Sequence, residues 1–407
     1  MKEKKLKVLI FMGGGFDTYG PSRHLYNALI EDLLIQGHIV HLIERHSTGK
    51  DPDAPDNLLS FENFSYETIN EIVVDKKAFI KRYLTGVKYC FDAIPVLKKQ
   101  KGFDVMMVQS CPWAPFAVSF AKRYVKIPTV WNIQDMFPGA SIANGVMNKK
   151  WMQKIFYRFH QIAYKKADHI SVISEDMKQK VIEQGVAPDR ITSIPDWYDD
   201  KSVREIKWED NLFVKKYNMQ KDVFYVQYAG TMGFNFDYRM VVKVAELLKD
   251  QKNIIFQMIG FGSQKDDFVK AAMEKGLGNI VFLPLEPQEM VPHVYSACSV
   301  CLIPLPKGVI GNSVPSKAGL LMACRRVIVN SVDDDSDYYK MFEREQVGVS
   351  SSNLDPQAVA NAILKMRDNP ELREQYAENA KKFSSKFYAR TVNTKKHIDL
   401  LKKIAGK

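Results

Sequence analysis

The stretch that decides the fold reads Val300-Cys301-Leu302-Ile303-Pro304-Leu305, then Gly311-Asn312-Ser313-Val314-Pro315-Ser316-Lys317, Ala318-Gly319-Leu320-Leu321-Met322-Ala323 and Val327-Ile328-Val329. The first run is short and apolar, which suits a strand buried on both faces. A small polar loop follows, then an apolar helix start and a second strand. Together they make one βαβ unit, with its loop at the carboxyl end of the sheet, where open α/β sheets bind ligands. Free N–H groups at a helix start favour anions, and a lysine among them adds to that preference. The segment therefore reads first as a seat for phosphate. Many βα loops carry Pro, Ser and Lys with no ligand, so a plain connection stays open at this point.

Working outward, strands and helices alternate on both sides of this unit. The first half predicts strand Lys7–Met12, a helix from about Pro21 to Gly37 and strand His38–Glu44, then irregular and helical material to Lys101. Strand Asp104–Val108, helix Ala114–Tyr124, strand Thr129–Ile133, helix Lys149–Lys166, strand Ile170–Ile173, helix Glu175–Glu183 and strand Arg190–Ile194 follow. Pro195-Asp196-Trp197-Tyr198-Asp199-Asp200 breaks the pattern and marks a boundary. The second half restarts with strand Val223–Ala229, helix Arg239–Lys249, strand Ile254–Ile259, helix Asp266–Lys275, strand Ile280–Leu283 and helix Glu289–Ala297. After the opening unit, helices are expected to the end. The expectation is two doubly wound, parallel-sheet domains facing a central cleft. Their limits are 1–196 and 197–385, with a terminal helix of about 386–407 packing back on the first domain.

Composition excludes other classes. The chain has 407 residues, 46% apolar and 26% charged, the balance of a folded protein long enough for two cores. Val8–Met12 after a basic start imitates a signal peptide but is short and ends in Gly13-Gly14-Gly15, so a first strand is the better reading. No run approaches the roughly 20 residues of a membrane span. Five scattered cysteines fit a reducing compartment; Cys298-x-x-Cys301 has no second pair, which favours buried thiols over zinc. Of the net charge of +11, residues 361–407 supply 12 Lys/Arg against 5 Asp/Glu. Two further basic runs, Lys76–Lys101 and Lys149–Lys166, are interleaved with aromatics. They fit solvated helix faces, an anionic membrane surface or nucleic acid, though no nucleic-acid motif accompanies them.

Both halves open with a strand running into a glycine turn, Gly13-Gly14-Gly15 and Gly230-Thr231-Met232-Gly233. Such turns let backbone approach a ligand. Neither is a G-x-G-x-x-G dinucleotide fingerprint, and no P-loop occurs, which argues against oxidoreductases and NTPases. The following pieces then stand in order: Gly20-Pro21-Ser22-Arg23-His24-Leu25; Leu34-x-x-Gly37-His38-x-Val40; Pro128-Thr129-Val130; Gln134-Asp135-Met136-Phe137-Pro138; Ala167-Asp168-x-Ile170-x-x-Ile173-Ser174; Ile194-Pro195-Asp196-Trp197; Tyr228-Ala229-Gly230-Thr231-Met232-Gly233; Ile259-Gly260-x-Gly262; Leu302-Ile303-Pro304-Leu305; and Val314-Pro315-Ser316-Lys317. In this order they resemble the retaining glycosyltransferases of family 4, of GT-B fold, and most closely the branch that builds bacterial capsule, exopolysaccharide and O-antigen units.

That resemblance implies transfer of a sugar from a nucleotide donor, most often a UDP-sugar, with retention. It implies backbone amides and basic side chains on the diphosphate, no divalent metal and no other cofactor. Carried onto this chain, the donor set is Gly14, Gly15, Arg23, Gly230, Thr231, Gly233, Gly260, Leu285, Asn312, Ser313, Val314, Pro315 and Ser316, with Lys317, Asp135 and Gln134 as catalytic residues. Gln134 falls where many members carry histidine and can orient but not shuttle a proton. The family's two glutamates, spaced E-x7-E, fall on Asn312 and Leu320, and leucine cannot bind ribose hydroxyls. The implied partners are the nucleotide sugar, a polyprenyl-diphosphate-linked saccharide acceptor and an anionic membrane surface, with no nucleic acid. The implied location is cytoplasmic, peripheral on the inner face of the cytoplasmic membrane. A non-catalytic nucleotide-sugar-binding subunit and a UDP-sugar 2-epimerase are the alternatives. Asp333-Asp334-Asp335 and Asp337 raise a metal reading beside that of an exposed turn and helix cap.

Overall fold

The computed structural model describes residues 4–15, 22–47, 56–72, 74, 78–143 and 145–406. The chain divides into two compact units, one of Met1–Asp196 with Asn393–Lys407 and one of Trp197–Val392. The first holds a parallel seven-stranded sheet: β1 (Lys7–Phe11), β2 (Ile39–Ser47), β3 (Phe64–Glu71), β4 (Val105–Gln109), β5 (Thr129–Ile133), β6 (His169–Val172) and β7 (Ile191–Ser193), in the order β3-β2-β1-β4-β5-β6-β7. The second holds a parallel six-stranded sheet: β8 (Phe224–Ala229), β9 (Ile254–Ile259), β10 (Ile280–Leu283), β11 (Val300–Pro304), β12 (Val327–Val332) and β13 (Gly348–Ser352), in the order β10-β9-β8-β11-β12-β13.

The helices used below are α1 (Arg23–Ile35), α2 (Phe79–Asp92), α3 (Ala114–Phe120), α4 (Lys150–Lys166), α5 (Tyr238–Leu247), α6 (Lys317–Ala323), α7 (Pro370–Phe387) and α8 (Arg390–Ile404). The central strands are buried throughout, as in β4 (Val-Met-Met-Val-Gln) and β5 (Thr-Val-Trp-Asn-Ile), because helices cover both faces of a parallel sheet. Burying each large side chain contributes about 1.5–3 kcal/mol, which explains why those runs carry so little polarity. Helix α1 buries Leu25, Tyr26, Leu29, Ile30, Leu33 and Leu34, a single stripe at helical spacing. It stops where Gly37 takes φ 78° and its amide donates to the Leu34 carbonyl.

What positions a site is where each sheet reverses. In unit 1, β1 lies between β2 and β4; in unit 2, β8 lies between β9 and β11. The connections on either side run in opposite directions, so the loops after these strands part and leave a crevice at the carboxyl ends. Two strands differ from the sequence expectation. The edge strands β3 and β13 were expected as irregular or helical chain. Both are only partly apolar, Phe-Ser-Tyr-Glu-Thr-Ile-Asn-Glu and Gly-Val-Ser-Ser-Ser, since an edge strand needs less apolar surface. Among the described residues, no helix is long and apolar enough to cross a membrane.

Candidate functional site

In unit 2 the loops after β8, β9 and β11 interlock at the switch point. The Met232 amide donates to the Phe261 carbonyl (2.8 Å) and the Gln264 amide to the Met232 carbonyl (3.0 Å). Gly260 has φ 139°, and a Cβ there would lie 2.0 Å from the Gly230 carbonyl oxygen, so the two loops meet backbone to backbone. Lys317, first residue of α6, reaches into this junction. Its Nζ donates to the Ala229 carbonyl (2.7 Å) and sits 4.4 Å from the Tyr228 ring centroid. The Tyr295 hydroxyl donates to the same carbonyl (3.4 Å). Loss of solvent around the ammonium lowers the Lys317 pKa to about 8. Gly230 makes the room: at φ 148° it has no Cβ, and one placed there would fall 1.6 Å from Nζ.

Beside the lysine, among the described residues, no protein acceptor meets the amides of Val314, Ser316 or Lys317. Pro315 has no N–H and its carbonyl accepts from Ala318 (3.0 Å), which sets the first turn of α6. The loop is held from below by Asp333, at the end of β12. Its carboxylate accepts from the amides of Gly308 (2.8 Å) and Ile310 (3.3 Å) and from Asn353 Nδ2 (3.3 Å). Asn312 turns inward, its Nδ2 donating to the Gly308 carbonyl (2.8 Å), and the Ser313 amide donates to the Val309 carbonyl (3.0 Å). Leu320 packs on the apolar core of unit 2. Thr231 is exposed, Gly233 is half-buried and accepts at its carbonyl from Phe236, and Leu285 stands 52% exposed beyond β10.

The carboxyl ends of β1, β4 and β5 gather a second polar cluster in unit 1. The Gly13 amide donates to Gln109 Oε1 (3.0 Å), and Gln109 Nε2 donates to Ser22 Oγ (2.9 Å). Gly14 and Gly15 continue this turn, while Gly20 and Pro21 of the quoted motif lie outside the described residues. Arg23 does not face open solvent: its Nη1 donates to Glu44 Oε2 (2.9 Å), and the two side chains are 12% and 1% exposed. Gln134 Nε2 donates to Asp196 Oδ1 (3.1 Å), and exposed Asp135 accepts at its carbonyl from Ser110 Oγ (3.2 Å). Burial raises the Asp196 pKa to about 6, the Gln134 bond opposing and the Asp135 charge adding to the rise.

Two participants were not singled out in the sequence, Tyr228 and Asp196. Each has a local signal, the aromatic before a glycine turn and the acid in Ile194-Pro195-Asp196-Trp197, but neither signal states its contact. An open cavity of about 640 Å³ in unit 1 is lined by Lys122, Arg123, Lys165, Lys166, Asp168 and Arg190. These residues precede β5, β6 and β7, so the cavity lies at the amino ends of the strands, away from the switch point. Its Arg190 is taken up by the carbonyls of Tyr164 and Ala167. Among the described residues, no three His, Cys, Asp or Glu side chains are grouped to hold a metal ion. Cys298 and Cys301 are buried, their sulfurs 3.3 Å apart.

Residues 27–197 match the family described as glycosyl transferase 4-like domain, and residues 210–383 match glycosyl transferases group 1. Among curated proteins, the chain is 27% identical over 233 residues to the probable glycosyltransferase WbjE of Pseudomonas aeruginosa, covering 57% of this chain and 58% of that one. It is 26% identical over 199 residues to the putative colanic acid biosynthesis glycosyl transferase WcaI of Escherichia coli, covering 48% and 49%. The chain thus spans about half to three fifths of the length of these relatives. Sucrose-phosphate synthase from Thermosynechococcus elongatus superposes with TM-score 0.75 at 16% identity, over 99% of this chain and 100% of that one. Anabaena HepE in complex with UDP superposes with TM-score 0.74 at 12% identity, over 98% and 100%. At such identities the likeness shows the fold, which is GT-B.

Proposed function

This chain belongs to the group 1 glycosyltransferases with a family-4-like first domain, and from that premise we propose that it moves a sugar from a nucleotide donor, most simply a UDP-sugar, to a saccharide acceptor in surface polysaccharide assembly. One observation carries the reading: the Lys317 ammonium and the open amides of Val314, Ser316 and Lys317 stand together at the switch point of unit 2. A departing nucleoside diphosphate gains negative charge as the glycosidic bond breaks. Fixed N–H donors and an ammonium aimed at its oxygens lower that barrier without reorganising. Asp333 holds the loop that presents them. The positions on either side of this loop hold Asn312 and Leu320 rather than two carboxylates, so retention would follow from reaction on one face, with a donor phosphate oxygen taking the acceptor proton rather than a protein nucleophile. WcaI carries colanic acid biosynthesis in its name, which supports polysaccharide assembly; within that reading the acceptor is a lipid-linked saccharide at the inner face of the cytoplasmic membrane. No metal or other cofactor enters this reading.

The test is nucleotide release from a panel of UDP-sugars, with UDP affinity measured by calorimetry. Lys317→Ala should lower kcat/KM at least tenfold, equivalent to about 1.4 kcal/mol. An unchanged rate refutes the phosphate role. Leu320, half-buried against the unit 2 core where ribose contacts are expected, favours a second reading, a nucleotide-sugar binder. UDP affinity with no turnover of any donor would select it.

A further inference from the structure

Helix α4 is apolar on two opposite sides. Phe156, His160, Ala163 and Tyr164 turn inward and are buried. Trp151, Ile155, Phe159 and Ile162, at i, i+4, i+8 and i+11, form a second stripe that is 63%, 45%, 38% and 42% exposed. A helix apolar on both sides is ordinarily enclosed; this one lies at the surface. On α2, Ile80, Leu84 and Phe91 are likewise exposed. The two outer stripes are joined by rings: Phe91 and Phe116 of α3 are 6.2 Å apart, and Phe116 and Phe159 are 5.7 Å apart. Unit 1 therefore presents one aromatic and aliphatic ridge across α2, α3 and α4.

The charge around that ridge is predominantly positive; the exposed Asp92 of α2 is paired with Lys88. Residues 76–167 carry 17 Lys/Arg and 3 Asp/Glu, a net +14, so the remainder of a +11 chain is net negative. Helix α4 has no acidic residue at all; its Lys154, Arg158 and Lys165 follow the edge of the outer stripe and are exposed. Lys81 and Lys88 do the same on α2. Cations beside apolar side chains, Trp among them, suit a surface that is anionic at the headgroups and apolar beneath. A folded partner protein would need an acidic rim of matching outline; a lipid surface supplies both properties everywhere.

We propose that the α2–α4 ridge of unit 1 docks on an anionic lipid bilayer, with Trp151, Ile155, Phe159 and Ile162 entering the headgroup boundary. This deepens the membrane-side acceptor of the reading above. It is tested separately from that reading, because these residues belong to unit 1 and the loops that carry that reading to unit 2. The full chain is floated with vesicles of phosphatidylcholine alone or with one third phosphatidylglycerol, and UDP affinity is measured on the same preparation. Anionic vesicles should bind it and neutral ones should not. Lys154→Glu with Arg158→Glu, and separately Ile155→Ser with Phe159→Ser, should each lower binding at least about tenfold and leave UDP affinity unchanged. Quenching of Trp151 by brominated lipid, absent in Trp151→Phe, reports insertion without disturbing the ridge charges. Failure to bind anionic vesicles, or indifference to both double substitutions, overturns the proposal. So does single-stranded RNA that displaces the vesicles, or self-association lost in Ile155→Ser with Phe159→Ser, since each assigns the ridge another occupant.

Discussion

Lys317→Met tests the site and its energetics at once. The protein holds the ammonium against the Ala229 carbonyl with its pKa lowered to about 8 from the ordinary 10.5, chiefly by desolvation. Keeping that charge in the fold costs on the order of 3 kcal/mol at pH 7. A lysine with a depressed pKa binds fewer protons folded than unfolded between about 8 and 10.5, so stability rises with pH across that window and the penalty is complete below it. Methionine keeps the stem and removes the charge. The lost bond to Ala229 costs about 1 kcal/mol, and the carbonyl retains the Tyr295 hydroxyl. The variant should therefore be about 2 kcal/mol more stable near pH 7, with the gain shrinking as pH climbs from 8 towards 10.5. UDP should bind it about 10 to 150 times more weakly, the worth of a charge-assisted bond. Thermal unfolding from neutral to alkaline pH and calorimetric titration with UDP read the two effects. A variant that melts earlier and binds UDP as the wild type does would show a structural lysine and refute the reasoning.

UDP affinity of the wild type should fall above pH 8, because the lysine must regain its proton to meet the diphosphate; between about pH 7.5 and pH 9.5 the loss is about 25-fold, and a flat profile by calorimetry counts against it. Gly230→Ala adds a side chain at φ 148° in the place of the Lys317 ammonium. It should weaken UDP binding and lower stability by about 1–2 kcal/mol, and a double-mutant cycle with Lys317→Met should show coupling of at least about 0.5 kcal/mol, whereas additivity would deny the contact. Asp196, whose pKa is raised from 3.8 to about 6 by burial, opposes folding increasingly as pH rises from about 4 through 6; Asp196→Asn should be more stable at pH 7 by up to about 3 kcal/mol, with the gain gone below pH 4 in chemical denaturation. Asp333→Ala removes the acceptor of the Gly308 and Ile310 amides and should cost about 1–3 kcal/mol and lower UDP affinity, while a chelator leaves wild-type turnover as it was; turnover lost to the chelator would return Asp333 to the metal reading.

Much of the fold was legible because a parallel sheet writes its interior plainly. Thr129–Ile133 and Ile254–Ile259 read as strands and are strands to the residue, since buried runs leave no polar alternative; the edge strand Ile280–Leu283 also matches to the residue, through its β-branched and aromatic residues. β3 and β13 were not legible. An edge strand pairs on one side only, so Ser65, Glu67 and Thr68 can stand in β3, and three consecutive serines end β13. Their partners, β2 and β12, supply the ladder through backbone groups that carry no sequence signature. The α4 ridge was half legible. Its basic and aromatic residues were visible, but which aromatics turn outward depends on the Phe116 and Phe156 contacts made by neighbouring helices.

The site divides along the same line. The Val314–Lys317 loop could be found because proline, small residues and a lysine between a buried strand and an apolar helix have a local cause. What the lysine does there has no local cause. Its ammonium is fixed by Ala229, 88 positions away in sequence, and has room only because Gly230 lacks a side chain. That pairing follows from β8 and β11 lying side by side, a property of strand order rather than of either segment. Arg23 shows the converse. Beside a glycine turn it reads as one more phosphate ligand, yet Glu44 at the end of the neighbouring strand holds it in a buried ion pair. A cation near an anion seat becomes a ligand only if no carboxylate reaches it first. In unit 2 the acid that meets this loop, Asp333, is occupied by the Gly308 and Ile310 amides, so it fixes the loop rather than pairing the ammonium, as the proposed phosphate role requires.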